Sequence, residues 1–288
     1  IGNRAHGDSA KSMLFLRNYA MERFLERLSA SKYRNCFILK GGMLISAMVG
    51  IDSRATMDID TTLRNYPLNC ESAEQIVRQI ADVEIDDKIS FVIKKTEEIM
   101  EDSEYQGVRL SLDAYLDKTR IPLKIDISTG DVITPCEISF SYQLMFENRT
   151  IPLLAYPPET VLAEKLETIL SRGEANTRLR DFYDVYILQR EDFVVTPDAL
   201  CHALLATCRK RGHEDLLHTY ASILDRVRQS DTMRTQWMKY QSDFDYAAGI
   251  TWDTVLDTVE TLCMKTLDDH AFGDELPQEE SQFEMHLL

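Results

Sequence analysis

Two neighbouring segments, Phe37-Ile-Leu-Lys-Gly-Gly-Met-Leu-Ile-Ser46 and Arg54-Ala-Thr-Met-Asp-Ile-Asp60, set the pattern of the N-terminal half. The first predicts a short apolar strand, a double-glycine turn and an amphipathic helix, and the second begins a strand over Met57–Leu63. Residues i and i+2 of a strand point to the same face, so Asp58 and Asp60 are expected side by side, with their Cα atoms about 7 Å apart. Adjacent carboxylates repel each other unless a cation lies between them, and a divalent cation fits that role.

The double-glycine turn lies where the predicted helix begins. Backbone amides at a helix start bind anions, and Gly41 and Gly42 let another group approach them closely. Either feature alone is weak, because such a glycine pair is more often a plain turn and Asp-x-Asp is a short motif. Together and in this order they predict a metal site beside a phosphate-binding turn, which points to nucleotide chemistry.

A third carboxylate lies within a later apolar strand. Asp126 stands between two isoleucines, where a buried carboxylate is costly unless it is paired or bound to metal. A salt bridge to Lys124 of a neighbouring register, or to Arg109, would also satisfy it. With Asp58 and Asp60, however, Asp126 completes the three carboxylates of a two-metal phosphoryl-transfer site, whose ions lie about 3.5–4 Å apart.

The chain changes character near residue 156. Strand and helix patterns mix before a Tyr-Pro-Pro turn, and only helical patterns follow it. We therefore expect an α+β protein with an α/β domain over residues 1–156 and a helical domain over 157–268. An acidic tail over 269–288 is expected to be disordered.

Charged side chains recur on the first two helices predicted for the C-terminal half. They are Lys165, Arg178, Arg180 and Asp181, with Asp184 three positions after Asp181. A lysine in a helix is normally solvated, and an i,i+3 pair of acids is often a cap or a salt-bridge feature. The group is therefore either a polar seam between two helices or a clamp that binds a triphosphate.

The order of these motifs resembles the AbiEii-type nucleotidyltransferase toxins of type IV toxin–antitoxin and phage-defence systems, within the DNA polymerase β-like nucleotidyltransferase superfamily. The resemblance implies a mixed sheet flanked by helices, followed by a C-terminal helical bundle. The matching segments are Leu39-Lys-Gly-Gly42, Arg54-x-Thr-x-Asp-Ile-Asp60, Lys124-x-Asp126, Ala163-Glu-Lys165 and Arg180-Asp-Phe-Tyr-Asp184.

The resemblance also implies roles for single residues. Asp58, Asp60 and Asp126 would be metal ligands, Lys165 would face the triphosphate, and Asp181 or Asp184 would be the acid of the second domain. The nucleotide-binding set would comprise Lys40, Gly41, Gly42, Arg54, Thr56, Lys165, Arg178 and Arg180. Met43 departs from the superfamily pattern, in which a Ser or Thr hydroxyl often follows the glycine and contacts a phosphate, and Ser46 is the substitute within reach.

The activity implied is Mg²⁺-dependent transfer of a nucleoside monophosphate from an NTP to an RNA acceptor, a tRNA, by a toxin with a cognate antitoxin. Two alternatives stay open: a nucleotidyltransferase that modifies a small molecule such as an antibiotic, and a nucleotide-binding module without turnover. The nucleotide used, the number added and the oligomeric state are not predicted.

Composition limits the class of protein and the cellular compartment that we expect. The formal net charge of −16 excludes a general nucleic-acid coat protein, although a local basic patch remains compatible with it. No apolar run approaches the roughly 18 residues of a membrane span. Scattered cysteines such as Cys201 and Cys208, in a helical pattern, are expected to be free buried thiols, so we expect a cytoplasmic protein.

Overall fold

The computed structural model describes residues 9–100, 106–190 and 195–268. The tail predicted over residues 269–288 lies outside these ranges. Among the described residues, none of the helices has the length and apolar character needed to cross a bilayer.

The described strands form one mixed sheet in the order β3-β4-β5-β2-β1-β7-β6. Strand β2 pairs in parallel with β5, and β1 pairs in parallel with β7, whereas the other neighbours are antiparallel. The strands are β1 (Phe37–Lys40), β2 (Ile59–Leu63), β3 (Ile89–Met100), β4 (Gln106–Leu116), β5 (Thr119–Ser128), β6 (Ile138–Gln143) and β7 (Thr150–Ala155).

Helices flank this sheet and then make up the C-terminal half. The N-terminal helices α1 and α3 pack against the sheet and against each other, and α2 follows β1 directly. These are α1 (Ser9–Ala30), α2 (Gly41–Val49) and α3 (Cys70–Ala81). The later helices are α4 (Pro158–Arg172), α5 (Leu179–Leu188), α6 (Pro197–Arg211), α7 (Leu216–Gln229), α8 (Asp231–Asp243) and α9 (Trp252–Leu267).

Strand β5 shows how the sheet positions polar groups inside the molecule. Its first half alternates between exposed residues and buried aliphatics such as Ile121 and Leu123, as a strand with one covered face should. Its last four residues, Ile125–Ser128, are buried on both faces. Asp126 is therefore held in a buried strand end and needs a partner.

The structure differs from the sequence prediction at two strands. Strand β2 begins at Ile59 instead of Met57, so Asp58 lies in the bend that precedes it. Strand β6 was not predicted, because most of its side chains stay partly or fully exposed at the sheet edge and show no clear apolar alternation. Asp58 therefore does not owe its position to strand geometry.

Candidate active site

A pocket of about 950 Å³ lies between the sheet and the C-terminal helices, a size typical of ligand sites. Its sheet side carries three carboxylates, which we call the acidic wall: Asp58, Asp60 and Asp126. Its helical side carries the cations of α4, α5 and α8, which we call the basic wall: Lys165, Arg178, Arg180 and Lys239. Charges of opposite sign thus face one cavity.

Strand pairing and one hydroxyl position the acidic wall. Asp60 of β2 is the register partner of Asp126 in the parallel neighbour β5. Asp58, outside the strand, accepts a hydrogen bond from Thr56 Oγ1 at 3.0 Å. Thr56, predicted to bind nucleotide, is itself buried beneath the pocket and orients Asp58.

Asp126 is bound by Arg109 from the other neighbouring strand, β4. The guanidinium donates to both carboxylate oxygens, with Nε–Oδ1 at 2.8 Å and Nη2–Oδ2 at 2.6 Å. The hydrogen bond to Asp126 raises the pKa of Arg109, so the arginine stays charged. Of the partners that the sequence left open, the structure selects Arg109, and both oxygens of Asp126 are engaged.

The double-glycine turn contacts Asp60. Gly41 has a φ of +64°, and a Cβ at this position would overlap the Asp60 carboxylate, so only glycine fits. The Gly42 N–H donates to Asp60 Oδ2 at 3.4 Å, a long contact. Met43 is fully buried in the core and Ser46 is 6 % exposed, which places neither at the pocket wall. The turn thus helps to position an acid as well as offering its amides at a helix start.

Lys165 lies in a buried ion-pair network rather than on a solvated face. Its Nζ is 2.5 Å from Asp181 Oδ1 and 3.2 Å from Asp184 Oδ2. Burial alone would lower the pKa of Lys165, but the two carboxylates outweigh burial and the pKa is raised. The polar seam that the sequence left open therefore exists, and its lysine also lines the pocket.

Arg54 extends this network across the molecule. Its Nε donates to Asp184 Oδ1 at 2.6 Å and its Nη2 to Asp184 Oδ2 at 3.2 Å, with both side chains essentially inaccessible. Burial opposes ionisation of Asp184, but Arg54 and Lys165 lower its pKa overall. Arg54, predicted to bind nucleotide, links the loop before β2 to helix α5 and also lines the pocket.

Lys40 has a buried acidic partner that the sequence analysis did not identify. Its Nζ lies 2.9 Å from Asp131 Oδ2, which also accepts hydrogen bonds from Ser128 at 2.7 Å and Tyr156 at 2.8 Å. Burial opposes ionisation, but Lys40 and the hydroxyls of Thr62 and Ser128 lower the pKa of Asp131 to about 2. Only the position of Asp131 shortly after the Asp126 strand could have pointed to it.

Helix α8 and its C-terminal end were also missed as part of the site. Gln236, Lys239, Tyr240, Asp243 and Phe244 all line the pocket. Their spacing is that of an ordinary amphipathic helix, so the sequence offered no reason to separate them from core and surface positions.

The donor set was tested for a metal ion. Within the described ranges, no group of three or more His, Cys, Asp or Glu side chains is placed to hold a metal together. Asp58 and Asp60 provide the oxygen donors that Mg²⁺ prefers, and Mg²⁺ commonly needs only one or two carboxylates beside water and phosphate. One divalent ion therefore fits Asp58 and Asp60, whereas Asp126 can join only after Arg109 has moved.

A mixed sheet flanked by helices, with further helices closing a pocket over its acids, is the architecture of a nucleotidyltransferase. The family model for the nucleotidyltransferase AbiEii toxin of type IV toxin–antitoxin systems matches residues 23–258. This match covers most of the chain, so the protein belongs to the AbiEii family, as its motifs predicted.

Solved structures resemble the chain at low sequence identity. A candidate nucleotidyltransferase from H. pylori is 14 % identical with a TM-score of 0.49, over 89 % of this chain and 97 % of that one. JHP933 from Helicobacter pylori is 14 % identical with a TM-score of 0.48, over 89 % and 94 %. An antigenic nucleotidyltransferase-like protein from Paracoccidioides brasiliensis is 13 % identical with a TM-score of 0.40, over 70 % and 91 %. Among curated proteins, no sequence matches.

Proposed function

We propose that this nucleotidyltransferase uses Mg²⁺ to transfer a nucleoside monophosphate from an NTP to an RNA acceptor, a tRNA. By this reaction it acts as a cytoplasmic toxin with a role in phage defence, and a cognate antitoxin restrains it. The observation that supports this most is the shared pocket, in which Asp58, Asp60 and Asp126 face Lys165, Arg178 and Arg180. Acids that bind a cation and bases that bind phosphate are the two parts a phosphoryl transfer needs.

Each wall has its own task in this proposal. Asp58 and Asp60 would hold Mg²⁺, which when bound neutralises phosphate oxygens and favours attack on the α-phosphorus. Arg178 and Arg180 would bind the triphosphate through charge-assisted hydrogen bonds. Asp126, the register partner of Asp60, would accept the proton of the attacking hydroxyl. To do so it exchanges one of its two contacts with Arg109.

An RNA acceptor must approach through the basic side of the pocket. Arg211, at the end of α6, lies there beside the basic wall and its Lys239. With a formal net charge of −16, the rest of the surface repels RNA, so binding is local and weakens steeply with salt.

The test is transfer of label from each α-³²P NTP, with Mg²⁺ and total RNA, by the wild type, Asp60→Asn and Asp117→Asn. Asp117 is an exposed turn residue at φ +50°, a conformation that asparagine accepts readily, so Asp117→Asn is the matched control. We expect label in a tRNA-sized band with the wild type and the control, and a loss of at least about 10³-fold with Asp60→Asn.

Two results would contradict the proposal. Full activity of Asp60→Asn would remove Asp60 from the metal site. Label found only on a small molecule, or on no acceptor although NTP binds, would favour one of the two alternative activities over RNA modification.

A further inference from the structure

Part of the pocket end formed by α8 has no role in the phosphoryl chemistry described above. Gln236, Tyr240 and Phe244 line the same cavity as Asp58 and Asp60, yet they carry no charge and offer neither metal ligands nor phosphate clamps. An amide beside aromatic rings is suited to bind a part of the ligand other than its phosphates.

Gln236 has an unsatisfied acceptor at the pocket wall. Its Oε1 is buried and finds no hydrogen-bond partner among the described residues. Buried polar atoms in native proteins are nearly always paired. Because this oxygen has almost no accessible surface in the empty pocket, the carboxamide must turn toward the cavity to meet a partner on the ligand, and the unpaired oxygen gives up no hydrogen bond by turning. A carboxamide both accepts and donates, which matches the adjacent donors and acceptors on the edge of a nucleobase.

The aromatic side chains form a fixed surface next to this amide. The Phe244 ring centroid lies 4.7 Å from that of Tyr240 and 5.3 Å from that of Tyr246, with the Phe244 and Tyr246 planes inclined by 27°. A hydrogen bond of 3.1 Å between the two tyrosine hydroxyls holds these rings in place. Phe244 is only partly buried, so part of its ring is available to the pocket. Bases stack on such rings with little regard to sequence.

We propose that Gln236, Tyr240 and Phe244 form the subsite for the nucleobase of the NTP. Phe244 stacks against the base, and the Gln236 carboxamide bonds to its hydrogen-bonding edge, while the basic wall holds the phosphates. This assignment rests on the proposed function, because it needs an NTP in the pocket, and it makes Gln236 a specificity-determining residue.

The experiment compares binding of the preferred NTP with binding of inorganic tripolyphosphate, both with Mg²⁺, by calorimetry. The variants are Gln236→Leu, Gln236→Glu and Phe244→Ala, and the matched control is Met238→Ala, which lies on the same helix and is 61 % exposed outside the pocket. We expect the Kd for NTP to rise between about fivefold and 150-fold in the three variants. The tripolyphosphate Kd should stay within about twofold of the wild-type value, and the control should change neither.

Thermal unfolding without ligand separates a binding role from a structural one. Removing an unsatisfied buried acceptor should leave the Tm of Gln236→Leu unchanged or raise it, whereas the Tm increase produced by NTP should shrink. Equal losses of NTP and tripolyphosphate binding would overturn the subsite, as would unchanged NTP binding with a raised KM for RNA. A wild type that binds tripolyphosphate but no NTP would overturn the proposed function itself.

Discussion

Both oxygens of Asp126 accept hydrogen bonds from Arg109, so fewer of their lone pairs are available to bind a metal ion. The arginine also interacts electrostatically with Asp58 and lines the same pocket as Asp60. At the residue scale, then, we expect Arg109 to limit how many divalent ions the acidic wall can bind.

Arg109→Gln should strengthen metal binding. Removing the guanidinium takes away a repelling charge and frees Asp126 as a third ligand, so we expect the Kd of Mn²⁺ in the absence of nucleotide to fall on the order of tenfold. Titration followed by electron paramagnetic resonance measures this directly. Arg120→Gln is the control, since Arg120 pairs with Asp113 outside the pocket. Equal Mn²⁺ affinity in the wild type and both variants would show that Arg109 does not limit the site.

Single residues also show how much of the candidate site could be predicted from the sequence. Asp58 and Asp60 were selected because neighbouring carboxylates repel each other unless a cation lies between them, and Asp126 because a carboxylate within an apolar strand is costly. For Lys165 the sequence left open a polar seam or a triphosphate clamp, because contacts with Asp181 and Asp184 on another helix become visible only in the folded chain. Gln236 was missed for a similar reason, since an orphan acceptor is visible only once the surroundings are folded.

At the element scale, the turn between β1 and α2 positions Asp60 sterically. Gly41→Ala should displace the Asp60 carboxylate, because the added Cβ would overlap it, and should also strain a backbone at φ +64°. We expect Mn²⁺ affinity to fall at least about tenfold and the free energy of unfolding to fall by about 1–3 kcal/mol.

Gly50→Ala provides the comparison for this turn. Gly50 ends α2 at φ +89° with nothing within 4 Å of the added Cβ, so its alanine variant carries the backbone strain alone. Gly50→Ala should lose a similar free energy of unfolding in urea and keep wild-type Mn²⁺ affinity. If both variants lose metal binding equally, strain in α2 rather than contact with Asp60 is the cause.

Elements with strong local patterns were predictable, and elements defined by distant partners were not. The amphipathic α1, the alternating β5 and the proline start of α4 follow from local sequence. Strand β7 acquires its place only by pairing in parallel with β1, and β6 only by pairing with β7. Their positions depend on contacts that no local window of sequence contains.

At the scale of the whole molecule, buried polar contacts join the two halves that the sequence predicted separately. Arg54 reaches Asp184, and the Tyr183 hydroxyl donates to the Ser53 carbonyl at 2.6 Å. These contacts fix the basic wall opposite the acidic wall. Separate prediction of each half gave the residues of both walls except Lys239, but not the way in which the walls face each other.

Stability of the whole protein should depend on Glu22 of α1. Burial raises its pKa to about 7, although the Met145 N–H and the Tyr142 hydroxyl donate to it. The folded pKa exceeds the unfolded value near 4.5, so the folded state keeps a proton that the unfolded state releases. The stabilisation is complete below pH 4.5 and is lost as pH rises toward 7, by on the order of 3 kcal/mol.

Glu22→Gln removes this titration while keeping one acceptor for the same donors. Relative to the wild type, the variant should become more stable as the pH rises from 4.5 to 7.5. Urea denaturation at each pH measures both free energies of unfolding. Glu71→Gln, at the exposed start of α3, is the control and should show no such trend. Parallel stability profiles of wild type and Glu22→Gln would place the Glu22 pKa near its ordinary value.

The ion pair between Arg54 and Asp184 joins residues 130 positions apart, and this separation fixes an order of events during synthesis. At about 5–20 residues per second, roughly 7–26 seconds pass between translation of the two codons. During that interval the nascent chain already contains Asp58 and Asp60, but the helix that bears Arg180 and Asp181 does not yet exist. The enzyme is thus made first with its acidic wall and without the basic side chains of α5, and its pocket can close only after Asp184 has left the ribosome.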